Sequence, residues 1–419
     1  MTREPAFLKA IAGALGFLLA VTLMLRWTAR EPFSWSALLI ATFGVGVILT
    51  DSMTRALVAS DGPSAWIWWT VPHRYGALIL QKVGAAVGVS TVVAVAGVNL
   101  LPARSGGLLE AAHVLSVFHA VVGLAACGMV VAASTLPGGS TPWPVMLRGR
   151  LVVGIVATLS IAAILDPFRW STASTIALSA TIALAAALDT RERMPFTFDP
   201  VAAPSYPIRV MHGAVAASVM LIIQDTLVFS FGRHPHLNQG LAEALVRAAC
   251  GAVVVAGALL MIGWGSHDPY EVRRELGLVL PRAARTATRD AFVFGCIASV
   301  VAIAFFSCLL YFQLLEPSPR TIGFRWRAAA LLVVAPLSEE FVFRGLLFGA
   351  LRRHLPKLWA MVLSSLLFAL LHPPSAAVPL FIMGMLAAAV YQRTDSLLAP
   401  VILHFSYNAA LLIFWLVVP

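Results

Sequence analysis

Long runs of apolar residues, separated by short polar segments, follow one another along the chain. A helix needs about 20 apolar residues to cross the hydrocarbon core of a bilayer. By this measure, candidate spans lie near residues 8–25, 33–50, 83–102, 113–134, 151–166, 172–188, 208–231, 245–264, 291–315, 328–350, 358–372, 376–391 and 397–418. The Trp-rich stretch at 64–75 is typical of an interfacial segment instead. The pattern predicts an all-α, polytopic transmembrane helix bundle of about 12–13 spans.

Composition strengthens this prediction and changes the meaning of the charge. The chain is 60% hydrophobic and only 11% charged, whereas a soluble chain carries about 25% charged residues. The net charge of +10 would indicate nucleic acid in a soluble protein. Here about two thirds of the basic residues fall on one side of the predicted membrane, which favours a cytoplasmic N-terminus. We therefore predict the lipid bilayer, and not nucleic acid, as a partner.

A charged loop at 266–291 separates spans of two kinds. The earlier spans are rich in Ala, Val and Leu, and Asp225 is the one acid deep within them; we interpret it as a hydrogen-bonded bundle residue. The later spans carry most of the polar side chains. The sequence thus predicts an N-terminal membrane module of about eight spans (1–265), of unassigned role, and a second membrane domain at 270–419.

The segment LVVAPLSEEFVFRGLLFGALRRH places two adjacent acids, Glu339 and Glu340, inside one apolar run. A charged side chain at the centre of a spanning helix costs about 2.5–3.5 kcal/mol on insertion scales. Because a helix turns about 100° per residue, Glu340 and Arg344 share a face and are expected to form an ion pair. Glu339 points elsewhere and needs a partner on another helix.

Two histidines in or at the ends of later spans are the candidates. His372 follows Phe368 by one turn, and His404 precedes Asn408 by one turn. Polar groups in lipid face a bundle interior or a water-filled cavity, so we expect these side chains to share a pocket with Glu339. A carboxylate base, histidines and an amide suit water-driven acyl transfer, in which donors stabilise an oxyanion.

These residues form three ordered motifs that resemble the CPBP family of intramembrane proteases, which includes CAAX proteases and bacteriocin-processing (Abi) enzymes. The motifs EExxxR, FxxxH and HxxxN stand here as Glu339–Arg344, Phe368–His372 and His404–Asn408. The resemblance covers about residues 270–418. It implies a glutamic-type intramembrane endopeptidase without metal or cofactor, located in the bacterial inner (cytoplasmic) membrane. A myxosortase-like branch of the family is one possible placement.

The resemblance also implies roles for individual residues. Glu339 would activate the water with help from His372, while His404 and Asn408 would stabilise the oxyanion. The supporting side chains would be Glu340, Arg344 and Phe368. The implied substrate is a membrane-anchored protein or peptide.

Three alternatives stay open at the level of sequence. The same His and Glu side chains suit a zinc-dependent membrane protease, although no HExxH motif is present. The pocket would also suit a non-enzymatic transport or immunity protein, although no inverted repeat supports transport. Finally, the polar residues could serve only to hold helices together.

Overall fold

The computed structural model describes twelve parts of the chain, and all of its regular elements are helical. These parts are residues 12, 16, 35–59, 72–100, 111–135, 143–166, 171–193, 207–231, 239–263, 268–281, 283–315 and 324–417. No strand occurs among these residues. The all-α fold class is confirmed.

The chain divides into two compact units, Met1–Ser205 and Tyr206–Pro419. The helices of the first unit are α1 (Trp35–Ala59), α2 (Pro72–Leu100), α3 (Ala111–Thr135), α4 (Trp143–Leu165) and α5 (Ser171–Arg193). Helix α3 is central and packs against each of the other four. Gly123 of α3 faces Ser160 of α4 so closely that a Cβ there would collide with the serine hydroxyl. Small residues thus allow these helices to approach closely.

The second unit contains α6 (Val210–Phe231), α7 (Gln239–Gly263), the short α8 (Pro269–Glu275) and α9 (Ala284–Tyr311), followed by a long composite helix. The composite helix comprises α10 (Phe324–Ala329), the π-helical π1 (Ala330–Val334), α11 (Ala335–Glu340), the π-helical π2 (Phe341–Phe348) and α12 (Gly349–His354). The last helices are α13 (Lys357–Leu370), α14 (Pro374–Thr394) and α15 (Leu398–Val417). Helices α9, α14 and α15 pack together, and α11 and π1 both contact α15.

Twelve of the thirteen predicted spans coincide with these helices, in order. The predicted span 8–25 and most of the interfacial stretch 64–75 lie outside the described residues. Eight of the described helices are long and apolar enough to cross a membrane. Shorter apolar helices occur at Gly149–Leu165, Val210–Gln224 and Lys357–Leu370, in agreement with the short spans predicted at 151–166 and 358–372. The chain is an integral membrane protein.

The division between the units lies earlier in the chain than the charged loop suggested. Helices α6 and α7, which the sequence assigned to the N-terminal module, pack against the composite helix of the second unit. A Cβ at Gly213 of α6 would lie 2.7 Å from the Cα of Leu347 in π2, and a Cβ at Gly251 of α7 would lie 3.0 Å from the Cβ of Ser338 in α11. Two glycines therefore bring α6 and α7 directly against the helix that carries the paired glutamates.

Candidate active site

The composite helix holds both glutamates where its backbone changes from α11 to π2. Glu339 and Glu340 end α11, and Arg344 lies in π2, one turn later. All three side chains are buried. π-Helical turns are rare and occur frequently at functional sites. The π turns could not be predicted from the motif, because a π turn differs from an α-helical turn by only one inserted residue.

Glu340 has hydrogen-bond partners in its own helix and in α15. Its Oε1 accepts hydrogen bonds from Nη1 of Arg344 at 3.1 Å and from Nδ1 of His404 at 2.8 Å. Nε of Arg344 lies 3.1 Å from Oε2 of Glu340, in ionic contact, although its N–H is not aligned on that oxygen. The expected ion pair between Glu340 and Arg344 is present. A buried pair of this kind is strongly destabilised when one partner is removed.

Arg344 is clamped from two further sides. Its Nη2 donates to the carbonyl of Gly384 in α14 at 3.2 Å, and its guanidinium lies 4.8 Å from the ring centroid of Phe368 in α13. The ring of Phe368 also packs against the rings of His372 and His404, with centroids 4.9 and 5.8 Å away. The ring of Phe368 therefore packs against the guanidinium and both imidazoles.

Glu339 makes no hydrogen bond to any other described residue, and it faces the two histidines. Its Oε2 lies 3.9 Å from Nε2 of His372 and 3.9 Å from Nε2 of His404. These separations exceed a hydrogen bond. The side chains of Glu339 and His404 are almost completely buried, whereas that of His372 is 27% exposed. The pocket therefore opens on the His372 side.

Both imidazoles are oriented through Nδ1. Nδ1 of His372 lies 2.8 Å from the carbonyl of Phe368, and because a carbonyl only accepts, this nitrogen carries the proton. Nδ1 of His404 donates in the same way to Glu340. In each ring Nε2 then lies 3.9 Å from Oε2 of Glu339.

The side-chain amide of Asn408 bonds to the backbone of the composite helix. Its side-chain Nδ2 donates at 2.7 Å to the carbonyl of Leu331 in π1. One of its two amide hydrogens is therefore used inside the protein. Of the seven residues predicted for the site, the structure brings six together around Glu339 and its two imidazoles, and the described contact of Asn408 is with the backbone of the composite helix.

Sequence reasoning missed several groups near the pocket. The serine of α13, Ser364, donates at 2.9 Å to the carbonyl of Phe343 in π2. Arg247 of α7 lies within electrostatic range of His372 and forms an ion pair with Glu243, which also binds Arg327 of α10. The small residues around Gly251 were the only available signal that α7 packs here. Among the described residues, no group of three or more His, Cys, Asp or Glu side chains is placed to hold a metal ion.

Comparison with known proteins places this site in context. A model of the family "Type II CAAX prenyl endopeptidase Rce1-like" matches residues 321–410. The chain is 35% identical over 94 residues to the membrane-embedded CAAX protease MroQ of Staphylococcus aureus, covering 21% of this chain and 38% of that protein. It is 33% identical over 78 residues to the UPF0177 protein YxdF of Lactococcus lactis, covering 18% of this chain and 42% of that protein.

These matches concern only part of each protein. The alignments span about two fifths of the length of each of these two relatives. No solved structure matches the chain. The matched segment nevertheless includes all three motifs, from Glu339 to Asn408. This C-terminal region is similar to CAAX-protease-like membrane proteins of the CPBP family.

Proposed function

We propose that the protein is an intramembrane endopeptidase that hydrolyses a peptide bond of a membrane-associated or C-terminally anchored protein. The observation that carries this proposal is the carboxylate of Glu339, which makes no hydrogen bond to another described residue and which two oriented imidazoles face at 3.9 Å. A buried carboxylate within a membrane is energetically costly, and such residues usually have a function. Helix adhesion alone does not require it, because Glu340 already joins the composite helix to α15 through its hydrogen bond with His404.

The spacing suits a bound water. A water oxygen about 2.8 Å from both Oε2 of Glu339 and Nε2 of either histidine would see the two atoms about 90° apart, close to the angle between its own hydrogens. Glu339 would take one proton from this water as general base, while His372 orients it. The water oxygen would then attack the carbonyl carbon of the scissile peptide bond.

The tetrahedral intermediate requires hydrogen-bond donors for its oxyanion. Nε2 of His404 donates only when the ring carries both protons, and its Nδ1–H is held by the carboxylate of Glu340. The second amide hydrogen of Asn408 is a further donor. Glu339 would return its proton to the leaving amine as the C–N bond breaks, which releases a carboxyl group and an amine. Glu340, Arg344 and Phe368 hold these groups in place.

The first unit and α6–α7 lie outside the matched segment, so their roles are proposals as well. We propose that the N-terminal membrane module recruits or positions the substrate, and that the protein resides in the bacterial inner membrane, where its bacterial relatives support such a location. No cofactor is proposed. Helix α7 differs from the rest of this module, because its Gly251 packs against Ser338, which is next to Glu339.

The test is mass spectrometry of membrane-protein termini in cells with the protein, without it, and with the Glu339→Gln variant. Hydrolysis predicts new termini that disappear in both the deletion and the variant, whereas the exposed control Glu271→Gln keeps them. The zinc alternative predicts loss of processing with a chelator and its return with zinc. The transport or immunity alternative predicts identical termini in all strains, a result that would refute the proposal.

A further inference from the structure

One backbone carbonyl in the composite helix lacks a donor from its own helix. In π1 the N–H of Ala335 bonds to the carbonyl of Ala330, five residues back. The carbonyl of Leu331 would therefore take its hydrogen bond from residue 336, but Pro336 has no N–H. Within a bilayer, where no water replaces the lost bond, an unsatisfied carbonyl costs several kcal/mol.

Asn408 supplies the missing donor from another helix. Its Nδ2 lies 2.7 Å from the carbonyl oxygen of Leu331, and the two residues are 77 positions apart. Helix α15 contacts both π1 and α11, so this hydrogen bond ties the composite helix to the helix that carries His404. The asparagine thus completes a backbone that Pro336 would otherwise leave incomplete.

The orientation of Glu339 depends on this backbone. A π turn inserts one extra residue into the helix, which rotates everything after it by about 100° relative to what comes before. Glu339 follows Pro336 by three residues. If π1 relaxed to a regular α-helix, the part of the composite helix that bears Glu339 would turn relative to α10, which is tied to α7 by the ion pair of Arg327 and Glu243.

The second π segment is bonded in the same manner. Ser364 of α13 donates to the carbonyl of Phe343 in π2 at 2.9 Å. Side chains of two other helices therefore hold the irregular backbone on both sides of the paired glutamates. The recurrence indicates that these hydrogen bonds fix the site, and that the bond from Asn408 is not incidental.

We infer that Asn408 is a positioning residue: through the Leu331 carbonyl it holds the π1 turn that aims Glu339 at the two histidines. This role is separate from donation to an oxyanion, and it rests on the proposed function only in what Glu339 does once it is aimed.

The experiment is a double-mutant cycle on the full chain in detergent, with Asn408→Ala, Pro336→Ala and the double variant. Thermal stability and hydrogen exchange of the peptide covering 330–340 are measured. Asn408→Ala is expected to speed exchange there about tenfold and to lower the melting temperature by about 3 °C. Pro336→Ala restores an N–H at residue 336, so the same substitution in that background should have little effect. The matched control is Ser406→Ala, because the hydroxyl of Ser406 bonds to Ile402 of its own helix and to no other described residue.

Each outcome decides the matter. Coupling between residues 336 and 408, with none between 336 and 406, supports the inference. Additive effects, or an Asn408→Ala protein with unchanged exchange and melting temperature, overturn it and leave Asn408 as an oxyanion donor only. If Asn408→Ala does not accumulate, the inference requires the double variant to accumulate, and failure of both overturns it. Neither readout depends on proteolysis, so retained processing in Glu339→Gln would refute the proposed function and leave this result standing.

Discussion

The two units of the protein differ in the hydrogen-bond partners that they provide for a buried histidine. In the first unit, His119 of α3 is 3% exposed, and neither ring nitrogen has a hydrogen-bond partner among the described residues. In the second unit, His404 is 2% exposed, but Nδ1 donates to Glu340 and Nε2 faces Glu339. Burial alone therefore does not identify a functional histidine. What distinguishes His404 is that one nitrogen is fixed by a charge and the other is directed at an unpaired carboxylate.

The comparison extends to other polar groups. In the first unit the described polar contacts are mostly hydroxyls that bond to their own helix or to a neighbour, such as Thr50 to Ser90 at 2.8 Å. Such contacts hold helices together at modest energy. In the second unit a buried arginine, two glutamates and two histidines share one pocket. Removing a member of that set is expected to cost far more than removing a hydroxyl.

Truncation of the chain is expected to have the largest effect. We expect a chain that begins at Tyr206 to insert and fold, and one that begins at Tyr270 to fail, because the second lacks the close contacts of α6 and α7 at Leu347 and Ser338. Size-exclusion behaviour and thermal unfolding in detergent provide the measurement. A stable, monodisperse protein from the shorter chain would favour the boundary near residue 270 that the charged loop predicts.

The Glu339→Gln variant should lose proteolysis while keeping its fold. Loss of a general base lowers a rate by about 10²- to 10⁴-fold, and Glu339 makes no described hydrogen bond whose loss would destabilise the helix. Processing rate and melting temperature are measured together. Cleavage near the wild-type rate would remove Glu339 from the mechanism and with it the distinction drawn between the two units.

Substitution of Arg344 by Ala should fail differently, through the fold. It leaves Glu340 without its cation in a dry interior, and breaking a buried pair costs about 3–5 kcal/mol. The melting temperature and the yield should both fall. As a matched change in the first unit, Arg55→Ala removes a half-exposed partner of Asp51 and should cost less than about 1 kcal/mol. Equal losses from the two substitutions would contradict the contrast.

A pair of glycine substitutions tests the close packing of α6 against π2. Gly213→Ala places a Cβ against the backbone of Leu347, and overpacking of this kind costs about 1–3 kcal/mol. The control is Gly257→Ala in α7, where nothing lies within 4 Å of the added carbon and helix propensity favours Ala by about 1 kcal/mol. Thermal unfolding should show the two variants moving in opposite directions.

The smallest expected effect concerns His119. Replacing an unpartnered buried polar group by an apolar one of similar size removes a desolvation penalty of about 1–3 kcal/mol, so His119→Leu should leave the melting temperature unchanged or raise it. His404→Leu should lower it, because Glu340 loses a donor. A marked loss of stability in His119→Leu would mean that this ring has a partner beyond the described residues.

Much of this architecture is readable from the sequence because lipid imposes strict rules. Twelve of the thirteen spans predicted from apolar runs coincide with described helices. The shortage of polar residues made the pocket conspicuous: Glu339, His372 and His404 were expected to meet, and each imidazole lies 3.9 Å from Glu339. The ion pair of Glu340 with Arg344 follows from helical spacing. The bond from His404 to Glu340 does not, because which carboxylate a histidine of another helix reaches depends on packing.

The features that the sequence did not predict depend on backbone hydrogen bonds and on close contacts between helices. Pro336 is visible in the sequence of the composite helix. The π turn beside it cannot be predicted without knowing the hydrogen bonds of the neighbouring residues. The placement of α6 and α7 rests on Gly213 and Gly251, and a glycine in a membrane helix does not name the helix that it touches. The division of the chain was therefore expected at its most charged loop, whereas the packing divides it between Ser205 and Tyr206.

The short helix α13 has a consequence for the supply of water. Its 14 residues extend about 21 Å at 1.5 Å each, whereas the hydrocarbon core is about 30 Å thick. With one end at an interface, the other end stops several ångströms inside the membrane, and His372 lies just beyond it. A bilayer responds to such hydrophobic mismatch by thinning locally. The lipid itself would then dip towards the partly exposed side chain of His372. The water that the proposed hydrolysis requires would reach Glu339 without a pore through the protein.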